Sequence, residues 1–263
     1  VIGGFLMING PIGALIQPSE FVVIGGAVIG ATVAANPLKY LMKIASSLTM
    51  ALKGSPYNKN VYLEVLQMQY DIYVNSKKGG LLSLEEDVNN PMSSSLFTKY
   101  PNFIGNHHAV DFFCDAMKML VNGACSPEEL EMMLDSELET HHEEAAIIPG
   151  LLQRASDALP GLGIVAAVLG IVVTMQHLDG TPEELGHHIG AALVGTFLGL
   201  LLSYGFLAPV AANIENLAAD EGKYFNCIKT GLVAFAFGAA PATAVEFSRK
   251  TIMSFDRPST SEI

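Results

Sequence analysis

Few side chains in this sequence have both the type and the spacing for catalytic or metal chemistry. Two metal ligands on one helix face need a spacing of three or four residues. Six of the seven histidines instead form adjacent pairs, at 107–108, 141–142 and 187–188. Phosphate-binding G-x-x-x-x-G-K-[ST] loops, G-x-S-x-G elbows and C-x-x-C pairs do not occur in the sequence. The residues therefore predict no enzyme active site, no metal site and no cofactor.

The remaining candidates are a hydroxyl and two prolines in apolar surroundings. Thr196 lies within residues 186–214, which contain no Asp, Glu, Lys or Arg. Its hydroxyl could line an ion path, or it could bond back to the preceding helical turn. Pro160 and Pro209 lie near the ends of two apolar segments, where a missing N–H can bend a helix. Pro160 would also fit a first helical turn, where proline is tolerated.

The elements that carry these residues are long and uncharged. Of the 263 residues only 15% are charged, against about 25% in a typical soluble domain. Residues 21–38, 158–178 and 186–214 carry no charge, and 21 helical residues span about 31 Å, one hydrocarbon core. Residues 1–19 are uncharged too and are typical of the outer part of a membrane helix whose beginning is missing. Four membrane spans are predicted, which excludes an ordinary soluble enzyme.

The positions of Lys and Arg set the expected topology. All 14 basic residues fall within residues 39–154 and 223–257, and the short connections at 9–20 and 179–187 contain none. Because cytoplasmic loops of membrane proteins are rich in Lys and Arg, both basic stretches are predicted to be cytoplasmic.

We therefore expect an all-α membrane protein with four transmembrane helices and a large helical cytoplasmic region between the second and third. The predicted regions are a first pair of spans, a cytoplasmic helical region, a second pair of spans and a cytoplasmic C-terminal region, at 1–38, 39–157, 158–214 and 215–263. No Asp, Glu, Lys or Arg is expected inside a span, so another chain would have to supply the carboxylate of any ion path.

Local patterns predict where some helices begin. Ser126 with Glu129, and Thr181 with Glu184, have the spacing of capping boxes, each with a proline at the first helical position. Apolar residues at helical spacing follow the first box through residues 127–145. The polar segment after residue 255 is expected to fray.

Two G-x-x-x-G pairs lie in the apolar segments. Gly26 with Gly30, and Gly195 with Gly199, would let helix backbones approach closely. The spacing fits packing within one chain and packing between copies equally well.

Charge and cysteine content limit the partners and the compartment. A net charge of −12 argues against nucleic acid, which favours basic patches. Cys114, Cys125 and Cys227 all lie on the predicted cytoplasmic side, where thiols stay reduced, and are interpreted as packing residues.

Six segments, in this order along the chain, carry a family resemblance: QPSE at 17–20, GLLSLE at 80–85, LPGLGIVAAV at 159–168, VGTFLG at 194–199, YGF at 204–206 and AVEFSRK at 244–250. With these segments the chain resembles the MotA family of flagellar stator A subunits, in its longer proteobacterial form, over essentially its whole length. The family belongs to the MotA/TolQ/ExbB superfamily.

The resemblance implies a function in bacterial motility. Five A subunits would surround a dimer of the B subunit, MotB, whose single membrane helix brings the ion-carrying aspartate. Ion flow, of protons here, would turn the A pentamer in the inner membrane and drive the rotor protein FliG.

The resemblance also assigns roles to single residues. Lys77, where the family often has arginine, and Glu85 would contact the rotor. Pro160 and Pro209 match the prolines that couple ion transfer to movement. Thr196 matches the pathway threonine, and Ala167 occupies the position where sodium-driven relatives often have threonine.

Two other functions remain open from the sequence. An ExbB- or TolQ-like energiser of envelope proteins would share the superfamily, although such relatives typically have three spans. A non-conducting membrane scaffold or receptor is the alternative from another class.

Overall fold

The computed structural model describes residues 1–176 and 181–263, and these form helices with no β-strand among them. The chain divides into two compact units. The first unit comprises Val1–Lys53 and Ala146–Asn216, and the second comprises Gly54–Ala145 and Leu217–Ile263. The all-α expectation is confirmed for the described residues.

The first unit is built mainly from apolar helices, with the lysine-bearing helix Leu38–Lys53 as the exception. In chain order its helices are α1 (Ile2–Met7), α2 (Ile12–Leu15), α3 (Pro18–Ala35), α4 (Leu38–Lys53), the later part of α9 (Pro127–Met175), α10 (Pro182–Leu202) and the start of α11 (Ala208–Ala236). Large apolar side chains such as Ile164, Val168 and Val172 are exposed along α9. A helix that is apolar on all sides is typical of a membrane span.

Three helical stretches in the described residues are long and apolar enough to cross a membrane: Ile12–Ala35, Pro127–Met175 and Pro182–Ala236. Before them the chain has only the six-residue helix α1. The protein is thus a membrane protein, while the count of four spans stays a prediction. Part of the predicted connection at 179–187 lies outside the described residues.

Glycines bring α9 and α10 into close contact. A Cβ built on Gly199 would lie 2.6 Å from the carbonyl oxygen of Leu159 and 2.9 Å from the Cα of Gly163. The Gly195–Gly199 pair therefore packs within the chain. Around Gly26 and Gly30 a built Cβ meets no described atom within 4 Å, so that pair has no partner in the described chain.

The second unit surrounds a core of aromatic and aliphatic side chains. Its helices are α5 (Lys59–Gly79), α6 (Glu85–Asn89), α7 (Pro101–Ile104), α8 (His107–Val121), the first part of α9, the rest of α11 and α12 (Pro241–Thr251). The periodic residues Leu130 and Leu134 of α9 are buried in this core, as predicted. Burial raises the pKa of the Cys114 thiol to about 12, which suits a packing residue.

Both predicted capping boxes are confirmed. The Ser126 amide donates to the Glu129 carboxylate at 2.8 Å, and the Glu129 amide donates to Ser126 Oγ at 3.2 Å. Thr181 and Glu184 make the same reciprocal pair at the start of α10. Both helices begin where the local pattern placed them.

The expected fraying of the C-terminal segment is wrong. The Arg257 guanidinium donates to the carbonyl oxygens of Ile252 and Lys250, and the Lys59 ammonium pairs with Glu262 at 2.7 Å. Arg249 also donates to the Pro258 carbonyl oxygen. Bonds from arginine side chains to nearby backbone, together with the ion pair to Lys59, hold a segment that its composition alone would leave free.

Candidate functional site

Thr196 and Ala167 lie where α9 and α10 are in contact. Ala167 is only 8% exposed, and Thr196 is half-buried. A Cβ built on Gly195, beside Thr196, would lie 3.3 Å from the backbone nitrogen of Ala167. The segment of α9 that carries Ala167 and the segment of α10 that carries Thr196 are therefore in direct contact.

The hydroxyl of Thr196 differs from the other threonine hydroxyls of the apolar helices. Thr32 donates to the Val28 carbonyl at 2.7 Å, and Thr174 donates to the Gly170 carbonyl at 2.8 Å. Thr196 makes no such bond to the preceding turn or to any other described residue. Among the described residues the bond back to the preceding turn is therefore absent, and a role of this hydroxyl in an ion path stays a prediction.

Pro160 lies inside α9 and not in a first helical turn, so that alternative for it is wrong. Because proline has no N–H, the carbonyl four residues earlier, that of Ser156, loses its helical donor. The defect lies in the second half of a 49-residue helix that also contains Pro149.

Pro209 is the second residue of α11 and is exposed. Immediately before α11, residues Ser203–Leu207 form one turn of π-helix, and the Ala208 amide donates to the Ser203 carbonyl. A π-turn in an otherwise α-helical run is a common feature of functional segments. The two candidate prolines thus each accompany a defect in a long helix.

The two defects are joined by a buried pair of serines. Ser156 Oγ lies 3.1 Å from Ser203 Oγ and 3.2 Å from the Ser203 carbonyl oxygen. Both serines are fully buried. A hydrogen-bonded contact therefore connects Ser156, whose carbonyl lacks a helical donor because of Pro160, to Ser203, the first residue of the π-turn before Pro209.

The expectation that no span contains a charged residue type is wrong. Glu20 is the third residue of α3, lies within the apolar stretch Ile12–Ala35 and is only 6% exposed. Sequence reasoning placed it just outside the span, because the uncharged run begins at the next residue. The one signal available was its place in the QPSE segment directly before that run.

Lys77 and Glu85 lie in the second unit, on either side of a tight turn. Lys77 is in the last turn of α5, and Glu85 is the first residue of α6. Gly80, with φ at 82°, ends α5 in a conformation that L-residues rarely adopt. Both charged residues are exposed, and neither forms an ion pair with another described side chain. Lys77 Nζ lies 5.8 Å from the centre of the Phe235 ring.

Their positions have a local explanation as well. A cation in the last turn of a helix and an anion in the first turn are each stabilised by the helix dipole. The exposure of both side chains leaves them available to a partner, and the geometry alone assigns none.

Comparison with known proteins gives the chain its family. The N-terminal motility protein A family matches residues 1–80, and the MotA/TolQ/ExbB proton channel family matches residues 106–226. Motility protein A of Salmonella typhimurium and that of Escherichia coli are each 39% identical over 263 residues, covering 100% of this chain and 89% of those proteins.

The chain belongs to the motility protein A family. The solved structure of C. jejuni MotAB matches this fold with a TM-score of 0.80 at 22% identity, covering 97% of this chain and 92% of that one. The flagellar MotAB stator complex of Bacillus subtilis matches with a TM-score of 0.74 at 24% identity, covering 91% and 86%. The motility protein A fold is thus common to all three chains.

Proposed function

We propose that this motility protein A chain is the ion-conducting A subunit of a flagellar stator and converts ion flux into torque on the rotor. The observation that carries the proposal is the unbonded Thr196 hydroxyl at the close contact of α9 and α10, in a chain of this family. A hydroxyl with free lone pairs can accept a proton carrier or coordinate a cation.

The ion path needs a partner. Residues 21–38, 158–175 and 189–214 contain no Asp, Glu, His, Lys or Arg, so within these apolar segments this chain offers no ionisable group of the kind that a proton pathway uses. The B subunit, MotB, supplies the carrier aspartate, and five copies of this chain surround two copies of MotB. The ion is the proton, because Ala167 offers no hydroxyl to replace the water ligands of sodium.

The proposed topology has four spans in the bacterial inner membrane, with residues 39–157 and 215–263 in the cytoplasm. The distribution of Lys and Arg supports it. Lys77 and Glu85 then lie on the cytoplasmic side, where they contact the rotor protein FliG through opposite charges.

The decisive experiment expresses this chain with its neighbouring B subunit in a bacterium that lacks its own stators. Swimming without sodium is the expected result. Swimming only with sodium would retain the stator and overturn the ion assignment. A purified A–B complex that produces no swimming with a compatible rotor would favour an ExbB- or TolQ-like energiser, and a complex without ion flux would favour a scaffold.

The rotor contact is tested by Lys77→Glu. Because the side chain is exposed and unpaired, reversal of its charge is expected to lower torque at high load while the amount of A–B complex stays unchanged. Lys53→Glu, at the end of α4, is the matched control. Wild-type torque in Lys77→Glu at both low and high load would exclude the contact.

A further inference from the structure

The first unit contains a buried carboxyl group without a partner. The side chain of Glu20 is 6% exposed, and its Oε2 atom is fully buried. Oε2 has no hydrogen-bond partner in residues 1–176 and 181–263. Buried carboxyl oxygens are nearly always hydrogen-bonded, so this one requires a physical explanation.

Small residues make the space that this oxygen occupies. A Cβ on Gly195 of α10 would lie 2.5 Å from Glu20 Oε2. The same Cβ would lie 3.2 Å from the Ala166 side chain and 3.3 Å from the Ala167 backbone nitrogen, both on α9. The carboxyl group of α3 is therefore inserted where α9 and α10 meet, next to the residue that precedes Thr196.

No cation is available to pair with the group. Residues 158–175 of α9 and residues 186–202 of α10 contain no Lys or Arg, and neither do residues 1–38. An unpaired carboxylate in such surroundings is far more costly to bury than a neutral carboxyl that holds a proton, so burial favours the protonated form.

We propose that Glu20 is a second proton-binding carboxyl of the stator, contributed by this chain in addition to the B-subunit aspartate. The proton binds to Oε2 and leaves from it to water or to the neighbouring path, and no other bond changes. The inference rests on the proposed function, since it adds a site to the same ion path.

The test compares Glu20→Gln and Glu20→Asp with wild type in the complete A–B complex. Proton flux through reconstituted complexes is expected to fall on the order of tenfold or more in Glu20→Gln, while Glu20→Asp, which keeps the acid, retains most of it. Glu183→Gln, in the exposed first turn of α10, is the control and is expected to leave flux unchanged. Flux within about twofold of wild type in a fully assembled Glu20→Gln complex would overturn the proposal.

A second readout does not depend on assembly of the variant. Dicyclohexylcarbodiimide reacts with protonated carboxyl groups in apolar surroundings, and mass spectrometry of the labelled wild-type complex is expected to find the adduct on Glu20. If Glu20→Gln fails to assemble, an unlabelled Glu20 overturns the proposal and a labelled one supports it. If the wild-type complex conducts no protons at all, the stator function fails, while labelling still decides whether Glu20 holds a proton.

Discussion

Replacement of Gly199 by alanine tests the contact on which the candidate site depends. The new Cβ would lie 2.6 Å from the Leu159 carbonyl oxygen, whereas ordinary contact begins at 3.4 Å. The two helices must therefore separate by about 0.8 Å, since the obstacle is backbone that cannot rotate away. A gap of that size forfeits about a quarter to a half of the dispersion energy of each contact.

The expected cost follows from this geometry. Overpacking of a tight contact destabilises by about 1–3 kcal/mol. Alanine also stabilises a helix by up to about 1 kcal/mol relative to glycine. Gly190 lies in the same helix, and no described atom lies within 4 Å of its built Cβ. Gly190→Ala is therefore expected to gain helix propensity without any overpacking.

The assay is reversible unfolding of the purified chain in mixed micelles, followed by circular dichroism as denaturing detergent is added. Gly199→Ala is expected to be about 1–3 kcal/mol less stable than Gly190→Ala, or about 5- to 150-fold in the unfolding equilibrium. Equal stability of the two variants would refute the close packing of α9 and α10 and, with it, the placement of Thr196.

Two further predictions concern the second unit. Gln69→Leu removes a buried side chain that bonds to the Ile228 carbonyl and the Ser248 hydroxyl, and is expected to cost about 1–3 kcal/mol of unfolding free energy. The half-buried Gln67, whose amide makes a single long bond to the Glu262 carbonyl, is the control, and Gln67→Leu is expected to cost less than about 0.5 kcal/mol. The Arg249 guanidinium lowers the pKa of Glu246 from its usual 4.5, so the pair stabilises the fold above that pH and loses its effect as pH falls. Glu246→Gln should therefore destabilise by up to about 1 kcal/mol near pH 7 and less near pH 4, and a pH-independent difference would contradict this.

Local patterns predicted the helices well, because caps and periodicity act over a few residues. The capping box at Ser126 and Glu129 forms within one turn of helix, and the helical spacing of apolar residues around Leu130 is enough to place it on the buried face. The C-terminal segment was mispredicted because its anchors are far away in sequence, as with Glu262 and Lys59.

The candidate site shows the same limit more clearly. Thr196 could be named from the sequence and the family, but whether its hydroxyl bonds back to its own helix depends on its rotamer, which no pattern specifies. Glu20 was missed because its burial is decided by Gly195, 175 positions later in the chain, where the absence of a side chain leaves room for a carboxyl group.

The prolines gain meaning only when α9 and α10 are considered together. From the sequence, Pro160 and Pro209 are paired only by the family resemblance, and no pattern shows a contact between them. In the structure, Pro160 leaves the Ser156 carbonyl without its helical donor. The Ser156 hydroxyl bonds to Ser203, which begins the π-turn before Pro209. A helix bends most easily where its hydrogen-bond ladder is broken. Because the two breaks are joined by a buried contact, α9 cannot bend there without disturbing the end of α10, and the two helices would therefore move as a pair.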